Sequence, residues 1–117
     1  MTPDLQESGA EWIAAWNERE LERVLRLYVD DVVFASPLAA RLVPASHGTV
    51  IGIAHCASTG RLVSRSTPDL HFELVDVLKT VDGCTLLYTN QRGTTAAETM
   101  LFVDDGKVAQ GIASHRE

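Results

Sequence analysis

The sequence predicts an α+β fold in which a cone-shaped, curved antiparallel sheet wraps around an N-terminal helical hairpin. Three observations support this class: two amphipathic segments at the start, four strand-like segments after residue 70, and short glycine-containing turns between those strands. Helices first and hairpin-connected strands last are typical of α+β domains. Residues 1–117 are expected to form one domain, because this length supports a single hydrophobic core.

Hydrophobic periodicity predicts the helical hairpin. Apolar residues recur at helical spacing over residues 4–17, where Asp4 is suited to cap the first turn. A second apolar face runs from Leu21 to Tyr28, and the acidic pair Asp30 and Asp31 is expected to end that helix as a turn.

The middle of the chain contains weaker signals. Residues 32–34 are β-branched or aromatic and predict a first strand, which Pro37 ends because proline cannot donate a ladder hydrogen bond. Residues 38–47 show no clear period and are interpreted as a loop. A short strand over 48–51 and a third helix over 53–64, weakened by Gly60, are expected to follow.

The C-terminal half is rich in Val, Leu, Phe, Tyr and Thr, and it predicts four consecutive strands at residues 70–80, 84–92, 94–103 and 107–114. Glycine lies in each connection, at residues 81–83, at Gly93 and at residues 104–106. Because glycine adopts positive φ at little steric cost, these connections favour tight hairpins.

Composition and charge argue against several partners. The net charge is −6, the pI is near 5.1, and the ten Lys and Arg residues are scattered, which leaves no basic stripe for nucleic acid. No apolar run approaches the roughly 20 residues that span a bilayer, and the N-terminus has no signal-peptide pattern. We therefore expect a cytoplasmic protein that binds neither nucleic acid nor a membrane.

The order and spacing of these elements resemble the nuclear transport factor 2-like superfamily, which includes ketosteroid isomerases, SnoaL-like polyketide cyclases and scytalone dehydratase. Residues 12–37 are similar to the family's opening, residues 68–72 to the start of its first long strand, and residues 105–108 to its last hairpin. The resemblance covers about residues 10–115. It implies a cystatin-like half barrel, a small-molecule cavity at the mouth of the sheet, and a homodimer.

Single positions carry the family's catalytic roles. The resemblance places Trp12 where ketosteroid isomerases have an oxyanion-hole tyrosine, and Ser36 where they have an aspartate that acts as general base. A tryptophan N–H is not acidic, and a lone serine hydroxyl cannot shuttle a proton between carbons at neutral pH. Glu98 falls on the isomerases' protonated aspartate and His115 on an inward aromatic position. Steroid isomerisation is therefore disfavoured, whereas Glu98 and His115 form a candidate acid–base pair.

Glu98 shares a predicted strand face with Met100 and Phe102, while Thr99 and Leu101 take the other face. An ionised carboxylate beside apolar side chains is costly, so the pKa of Glu98 should rise if this face is buried. The alternative is that this face is the outside of the sheet and that Glu98 is solvated.

A small apolar or alicyclic molecule is the expected ligand. Trp12 and Trp16 stand one helical turn apart and either line the cavity or only pack the core. Surface exposure or ordinary packing is the alternative reading of each histidine. The candidate catalytic residues are Glu98 and His115, and the candidate substrate-binding residues are Trp12, Trp16, Phe34, Ser36, His47, Tyr88, Met100 and Phe102.

No cofactor or metal is expected, because the sequence has no dinucleotide or Walker glycine motif, no nucleophile elbow and no closely spaced histidine pair. Cys56 and Cys84 are interpreted as small apolar residues rather than as a disulfide or a zinc site. We expect a small-molecule-binding cavity whose reaction the sequence does not name. Three functions stay open: a cofactor-free isomerase, cyclase, dehydratase or hydrolase, a non-catalytic ligand binder, and an association module. The expected homodimer would use an outer sheet face formed by Leu87, Leu101, Val103 and Ile112.

Overall fold

The α+β fold is confirmed by the computed structural model, which describes residues 4–103 and 105–116. Its helices are α1 (Leu5–Asn17), α2 (Leu21–Leu25), α3 (Pro37–Leu42) and α4 (Ile53–Ser66), with a 3₁₀ turn at Pro44–Ser46. Its strands are β1 (Tyr28–Ala35), β2 (Thr49–Ile51), β3 (Glu73–Lys79), β4 (Gly83–Thr89), β5 (Thr95–Phe102) and β6 (Val108–His115).

One curved sheet contains all six of these strands, in the order β2-β1-β6-β5-β4-β3. The predicted antiparallel pairing holds for β1–β2 and for the three hairpins of β3 to β6, whereas β1 and β6 run parallel. Register shifts occur in the β1–β6, β3–β4 and β5–β6 pairs. Such irregularities bend strands, which helps the sheet to curve around α1.

The first helix begins at a well-formed cap, since the Asp4 carboxylate accepts a hydrogen bond of 3.1 Å from the backbone N–H of Glu7. Its apolar face buries Trp12, Ile13 and Ala15 against the concave side of the sheet. The predicted helical hairpin is confirmed, although α2 is short.

The second helix ends at Leu25, so the prediction that it continues to Tyr28 is wrong. Tyr28 begins β1, and Asp30 and Asp31 lie inside that strand rather than in a turn. Both aspartates are exposed, because the register with β6 shifts between Tyr28 and Val33 and lets two consecutive side chains face solvent. The run of aromatic and β-branched residues on either side of them favours a strand over a helix.

Residues 38–47 are largely helical, so the prediction of a loop is also wrong. The Ser36 hydroxyl accepts hydrogen bonds from the backbone N–H groups of Leu38 at 3.1 Å and Ala39 at 3.5 Å. Serine at the N-cap and proline at the first helical position are a favourable start for a helix. Pro37 thus both follows the end of β1, as predicted, and opens α3.

The fourth helix packs on the helical hairpin through Gly60. A side chain at Gly60 would collide with Leu21 of α2, so glycine permits the two helices to approach closely. Arg19, in the α1–α2 connection, caps the end of α4 by donating to the carbonyl oxygens of Ser64 and Thr67 at 3.2 Å and to that of Pro68. The helix ends at Ser66, two residues beyond its predicted end.

The predicted C-terminal strands are each found within three residues of their expected ends. Gly93 and Gly106 have φ of 75° and 83°, as their hairpins require, whereas Asp104 of the predicted last turn lies outside the described residues. None of the described helices has the length and apolarity that a membrane crossing needs.

Candidate functional site

A cavity of about 800 Å³ lies between the sheet and the helices, on the concave side of the sheet. The side chains around it come from α1 to α4, from β1, β2, β4, β5 and β6, and from the connections that follow α4, β4 and β6. This volume is in the usual range for small-molecule sites, which are concave and largely apolar.

The structure brings seven of the ten predicted site residues to this cavity. They come from α1, β1, the α3 cap, β4, β5 and β6, and they are Trp12, Trp16, Phe34, Ser36, Tyr88, Glu98 and His115.

The other three predicted residues do not line the cavity, and we correct their assignment. Met100 follows Glu98 on the same face of β5 but is 1% exposed and packs in the core beyond the cavity. Phe102 lies one further step along that face. His47 follows the 3₁₀ turn in a left-handed conformation with φ of 53°, and its side chain is exposed elsewhere on the surface. Strand alternation identifies a face, but it does not say where along that face the cavity ends.

Glu98 is the only buried charged side chain among the described residues, with 2% of its surface exposed. Its Oε2 atom is fully buried and has no hydrogen-bond partner within that part of the chain. Burial raises the pKa of Glu98 well above its ordinary value of 4.5, which favours the neutral, protonated carboxyl. The predicted inward face of β5 is confirmed, and the alternative of a solvated Glu98 is wrong.

Two phenols lie within electrostatic reach of Glu98. Burial raises the pKa of both Tyr28 and Tyr88, and the negative charge of an ionised Glu98 would raise both further. Trp12 donates from its indole Nε1 to the Tyr28 hydroxyl at 3.1 Å, which leaves the tyrosine's own proton free to be donated. Sequence reasoning missed Tyr28 because its position at helical spacing after Leu25 concealed the start of the strand.

Aromatic rings build one wall of the cavity. Trp12 stacks on Phe72 with ring centroids 5.8 Å apart and planes at 10°, and it contacts Tyr88 at 5.6 Å and Trp16 at 6.1 Å. Asn17 holds Phe72 in place with two hydrogen bonds, donating to its carbonyl oxygen at 2.8 Å and accepting from its N–H at 2.7 Å. These two hydrogen bonds fix the backbone of Phe72, whose ring stacks on Trp12.

Trp12 combines the two alternatives that the sequence left open, since it is 3% exposed in the core and also lines the cavity. Trp16 differs in one respect. Its indole Nε1 is buried without a hydrogen-bond partner among the described residues. Two residues that line the cavity therefore each contain a buried polar atom without a partner among the described residues, the Oε2 of Glu98 and the Nε1 of Trp16. Buried polar atoms are normally paired, so such atoms in a cavity wall commonly bind a ligand or water.

The opposite wall depends on a close contact between the parallel strands β1 and β6. Phe34 pairs in register with Gly111, and any side chain at that glycine would collide with the Phe34 ring. Glycine at this position therefore lets the ring lie across β6, where it also contacts Tyr28 at a centroid distance of 5.7 Å.

His115 stands at the mouth of the cavity on the same sheet face as Glu98. Glu98 pairs with Ala113 across the β5–β6 ladder and Ala96 pairs with His115, so Glu98 and His115 are diagonal neighbours. Diagonal neighbours lie about 7–8 Å apart, within reach of long side chains. Partial burial and the charge of Arg41 lower the pKa of His115 below its ordinary value of 6.5, which favours the neutral imidazole at neutral pH.

Three arginines from separate segments also line the cavity: Arg41 on α3, Arg92 in the β4–β5 turn, and Arg116 after β6. All three are exposed in part, and none forms an ion pair with another described residue. Within the part of the chain that the structure describes, Glu98 is the only acidic residue that lines the cavity.

Burial affects both cysteines of the chain. Cys56 lines the cavity and Cys84 is fully buried, both as free thiols, and burial raises the pKa of each. A raised pKa keeps a thiol protonated and therefore a weak nucleophile. Within residues 4–103 and 105–116, no group of three or more His, Cys, Asp or Glu side chains is placed to hold a metal ion.

Comparison with known proteins agrees with this arrangement. The sequence profile of the SnoaL-like domain matches residues 10–111. No curated protein matches the sequence. A SnoaL-like protein of unknown function from Burkholderia thailandensis E264 is 30% identical, with a TM-score of 0.90 over 97% of this chain and 94% of its own.

Two more distant structures share the fold. An NTF-2 like protein of unknown function from Burkholderia xenovorans LB400 is 16% identical, with a TM-score of 0.73 over 97% of this chain and 83% of its own. TerC, crystallised with polyporic acid, is 18% identical, with a TM-score of 0.76 over 95% of this chain and 90% of its own. The profile match and the 30% identical relative, together with the cavity inside a curved sheet, establish that the chain belongs to the SnoaL-like family of the nuclear transport factor 2-like superfamily.

Proposed function

We propose that the cavity binds a small, largely apolar molecule and holds one of its oxygen atoms against the protonated carboxyl of Glu98. The observation that carries this proposal is the burial of Glu98 in a cavity wall with its Oε2 unpartnered. A neutral carboxylic acid is a good hydrogen-bond donor to a carbonyl or enolate oxygen. The phenol of Tyr28 supports the same site, because it accepts from Trp12 and keeps its own proton for donation.

The apolar part of the ligand would lie between the aromatic wall and Phe34. Flat or alicyclic molecules suit this space, since stacked and tilted rings of Trp12, Phe72 and Tyr88 form one of its sides. TerC, which shares the fold, was crystallised with polyporic acid. By analogy we propose that this chain also takes a small organic molecule.

For the reaction we propose cofactor-free proton transfer in a carbonyl compound. The neutral imidazole of His115 would take a proton from the carbon next to the carbonyl, while Glu98 gives its proton to the carbonyl oxygen, so that an enol forms. Return of the proton from the imidazolium to that carbon, or to a conjugated one, and of the enol proton to Glu98 restores both side chains. The low pKa of His115 and the high pKa of Glu98 favour the protonation states that this sequence needs.

A non-catalytic ligand carrier is the second candidate, and the placement of Ser36 favours it. The hydroxyl that occupies the isomerases' base position is engaged with the backbone N–H groups of Leu38 and Ala39. A carrier needs the cavity and the donor at Glu98, but it does not need a base.

We also propose that the protein is a homodimer that uses the outer face of the sheet. Leu87 and Leu101 are only partly buried there, and Ile112 is 41% exposed on the same face. An apolar face of this kind is suited to cover by a second copy of the chain.

One experiment separates the two candidate functions. We would incubate 2-tetralone with the protein in D₂O and follow deuterium uptake next to the carbonyl by NMR, with calorimetry to measure binding. The enzyme hypothesis expects uptake faster than in buffer, loss of both uptake and binding in Glu98→Leu, and loss of uptake with retained binding in His115→Gln. Binding without accelerated uptake identifies a carrier. Binding that is unaffected by Glu98→Leu contradicts both proposals.

A further inference from the structure

We infer that the ligand is an organic carboxylate, whose anionic group is held at the mouth of the cavity by Arg41, Arg92 and Arg116 while its apolar body enters. This inference rests on the proposed function, because it names the ligand class of the same cavity. It adds a recognition element that none of the family's catalytic positions provides.

Arginines from three separate segments meet at this cavity. Arg41 lies near the end of α3, Arg92 lies in the turn between β4 and β5, and Arg116 directly follows β6. These segments are far apart in sequence, yet the fold brings all three arginines to the lining of one cavity. Glu98 lies deeper in the cavity than this rim. It is the last residue along β5 that lines the cavity, because Met100, the next residue on that face, belongs to the core.

The described cavity lining differs in charge from the chain as a whole. The chain has 16 acidic and ten basic residues, so an average surface region should be acidic. Among the described residues, the cavity lining has three arginines and one acid, Glu98, whose raised pKa favours its neutral form. Asp69 and Glu73 line a separate cleft on the other side of the β4–β5 turn. A rim with this excess of positive charge in an acidic protein attracts an anion into the cavity.

The rim of the cavity and its interior next to Glu98 suit different parts of a ligand. A guanidinium group donates two parallel hydrogen bonds to a carboxylate, a geometry that lysine does not offer. At the exposed rim the carboxylate keeps part of its hydration, so little desolvation opposes binding. The reverse orientation would bury the anion next to Glu98 among aromatic rings, which is unfavourable. The ligand therefore enters with its apolar body first.

Matched acid and amide probes test this inference directly. We would measure, by isothermal titration calorimetry at low salt, the binding of benzoic, 2-naphthoic and 2-anthracenecarboxylic acids and of their primary amides. Each amide has the size and shape of its acid but no charge. We expect the best acid to bind at least about tenfold more tightly than its amide, as one charge-assisted interaction provides. Added salt should reduce this difference, because the rim is exposed.

Substitution of single arginines shows which side chains cause acids to bind more tightly than amides. Arg41→Gln, Arg92→Gln and Arg116→Gln should each weaken acid binding by about three- to tenfold and change amide binding by less than about twofold. The triple variant should bind acid and amide equally. Arg61→Gln is the matched control, since Arg61 is exposed on α4 and does not line the cavity. Circular dichroism verifies that each variant is folded.

The outcomes separate the inference from the proposed function. Equal binding of acids and amides by the unmodified protein, or an acid preference that survives in the triple variant, overturns the inference and leaves the proposed cavity function intact. Failure of every acid, amide and ketone probe to bind overturns both. An acid preference lost in Arg61→Gln as much as in the rim variants also overturns the inference, because the effect would then be one of overall charge.

Discussion

At Glu98 the fold favours the protonated carboxyl over the carboxylate. The folded-state pKa lies well above the ordinary value of 4.5, so between the unfolded and folded pKa values the native state holds a proton that the unfolded state has released. A group of this kind stabilises the fold fully below its unfolded pKa, and the stabilisation is lost as pH rises toward the folded pKa. The Glu98 carboxyl is therefore a source of pH-dependent instability.

Glu98→Gln should make the protein more stable at neutral pH while weakening ligand binding. Glutamine keeps the shape of the protonated acid and cannot ionise, so the variant's advantage should grow by at most about 1.4 kcal/mol per pH unit above pH 5, up to the folded pKa of Glu98. Urea unfolding of both proteins from pH 5 to pH 8 measures this. Glu22→Gln, on the exposed side of α2, is the control and should change stability by less than about 0.5 kcal/mol. Parallel pH curves for the Glu98 variant and the unmodified protein would contradict the assignment.

The family resemblance implied Glu98 as a site residue, and strand alternation, which needs only the side chain's own neighbours in the chain, predicted the face on which it lies. Tyr28 and Arg41 could not be found in the same way. Tyr28 is at a helical interval from Leu25, so the local pattern assigned it to α2, and only the pairing with β6 decides that it begins a strand. Arg41 lies in a segment without a readable period, and its place on the rim depends on where α3 docks. Residues whose role depends on long-range packing are missed.

At the level of elements, the four C-terminal strands were predictable because their β-rich composition and glycine turns agree with each other. Helix α3 was missed although its start signal is present: Ser36 and Pro37 form an N-cap and first position. Pro37 was interpreted only as the end of β1. A proline after a serine is compatible both with the end of a strand and with the start of a helix. A helix of six residues is too short for a helical period to show.

Ser36→Ala should destabilise α3 and loosen the rim of the cavity. Loss of the side-chain cap costs about 0.5–2 kcal/mol, which urea unfolding can measure. Binding of 2-naphthoic acid should weaken at the same time, since α3 carries Arg41. Ser36→Asp is the control, because aspartate caps a helix as well as serine does. Equal stability of Ser36→Ala and the unmodified protein would mean that the two hydrogen bonds to Leu38 and Ala39 contribute nothing.

At the scale of the whole molecule, the described helices cover the concave face of the sheet, and the outer face presents Leu87, Leu101 and Ile112 beside polar residues such as Thr99 and Gln110. The homodimer predicted from the outer face therefore remains a prediction. It should appear in sedimentation at micromolar concentration as a species of twice 12.8 kDa. Ile112→Glu, which charges the face, should give the monomer, whereas Val81→Glu at the 96% exposed β3–β4 turn should leave the dimer intact. A monomer of the unmodified protein would remove the idea.

The position of β6 has a consequence for how the molecule is made. It lies between β1 and β5, so the β1–β2 pair and the β3–β5 meander become one sheet only after residues 108–115 have left the ribosome. Long-range parallel pairing of this kind forms late and slowly. His115 and Arg116 arrive with the same segment. A ligand therefore cannot stabilise an incomplete nascent chain, because binding stabilises only the state that contains the finished cavity.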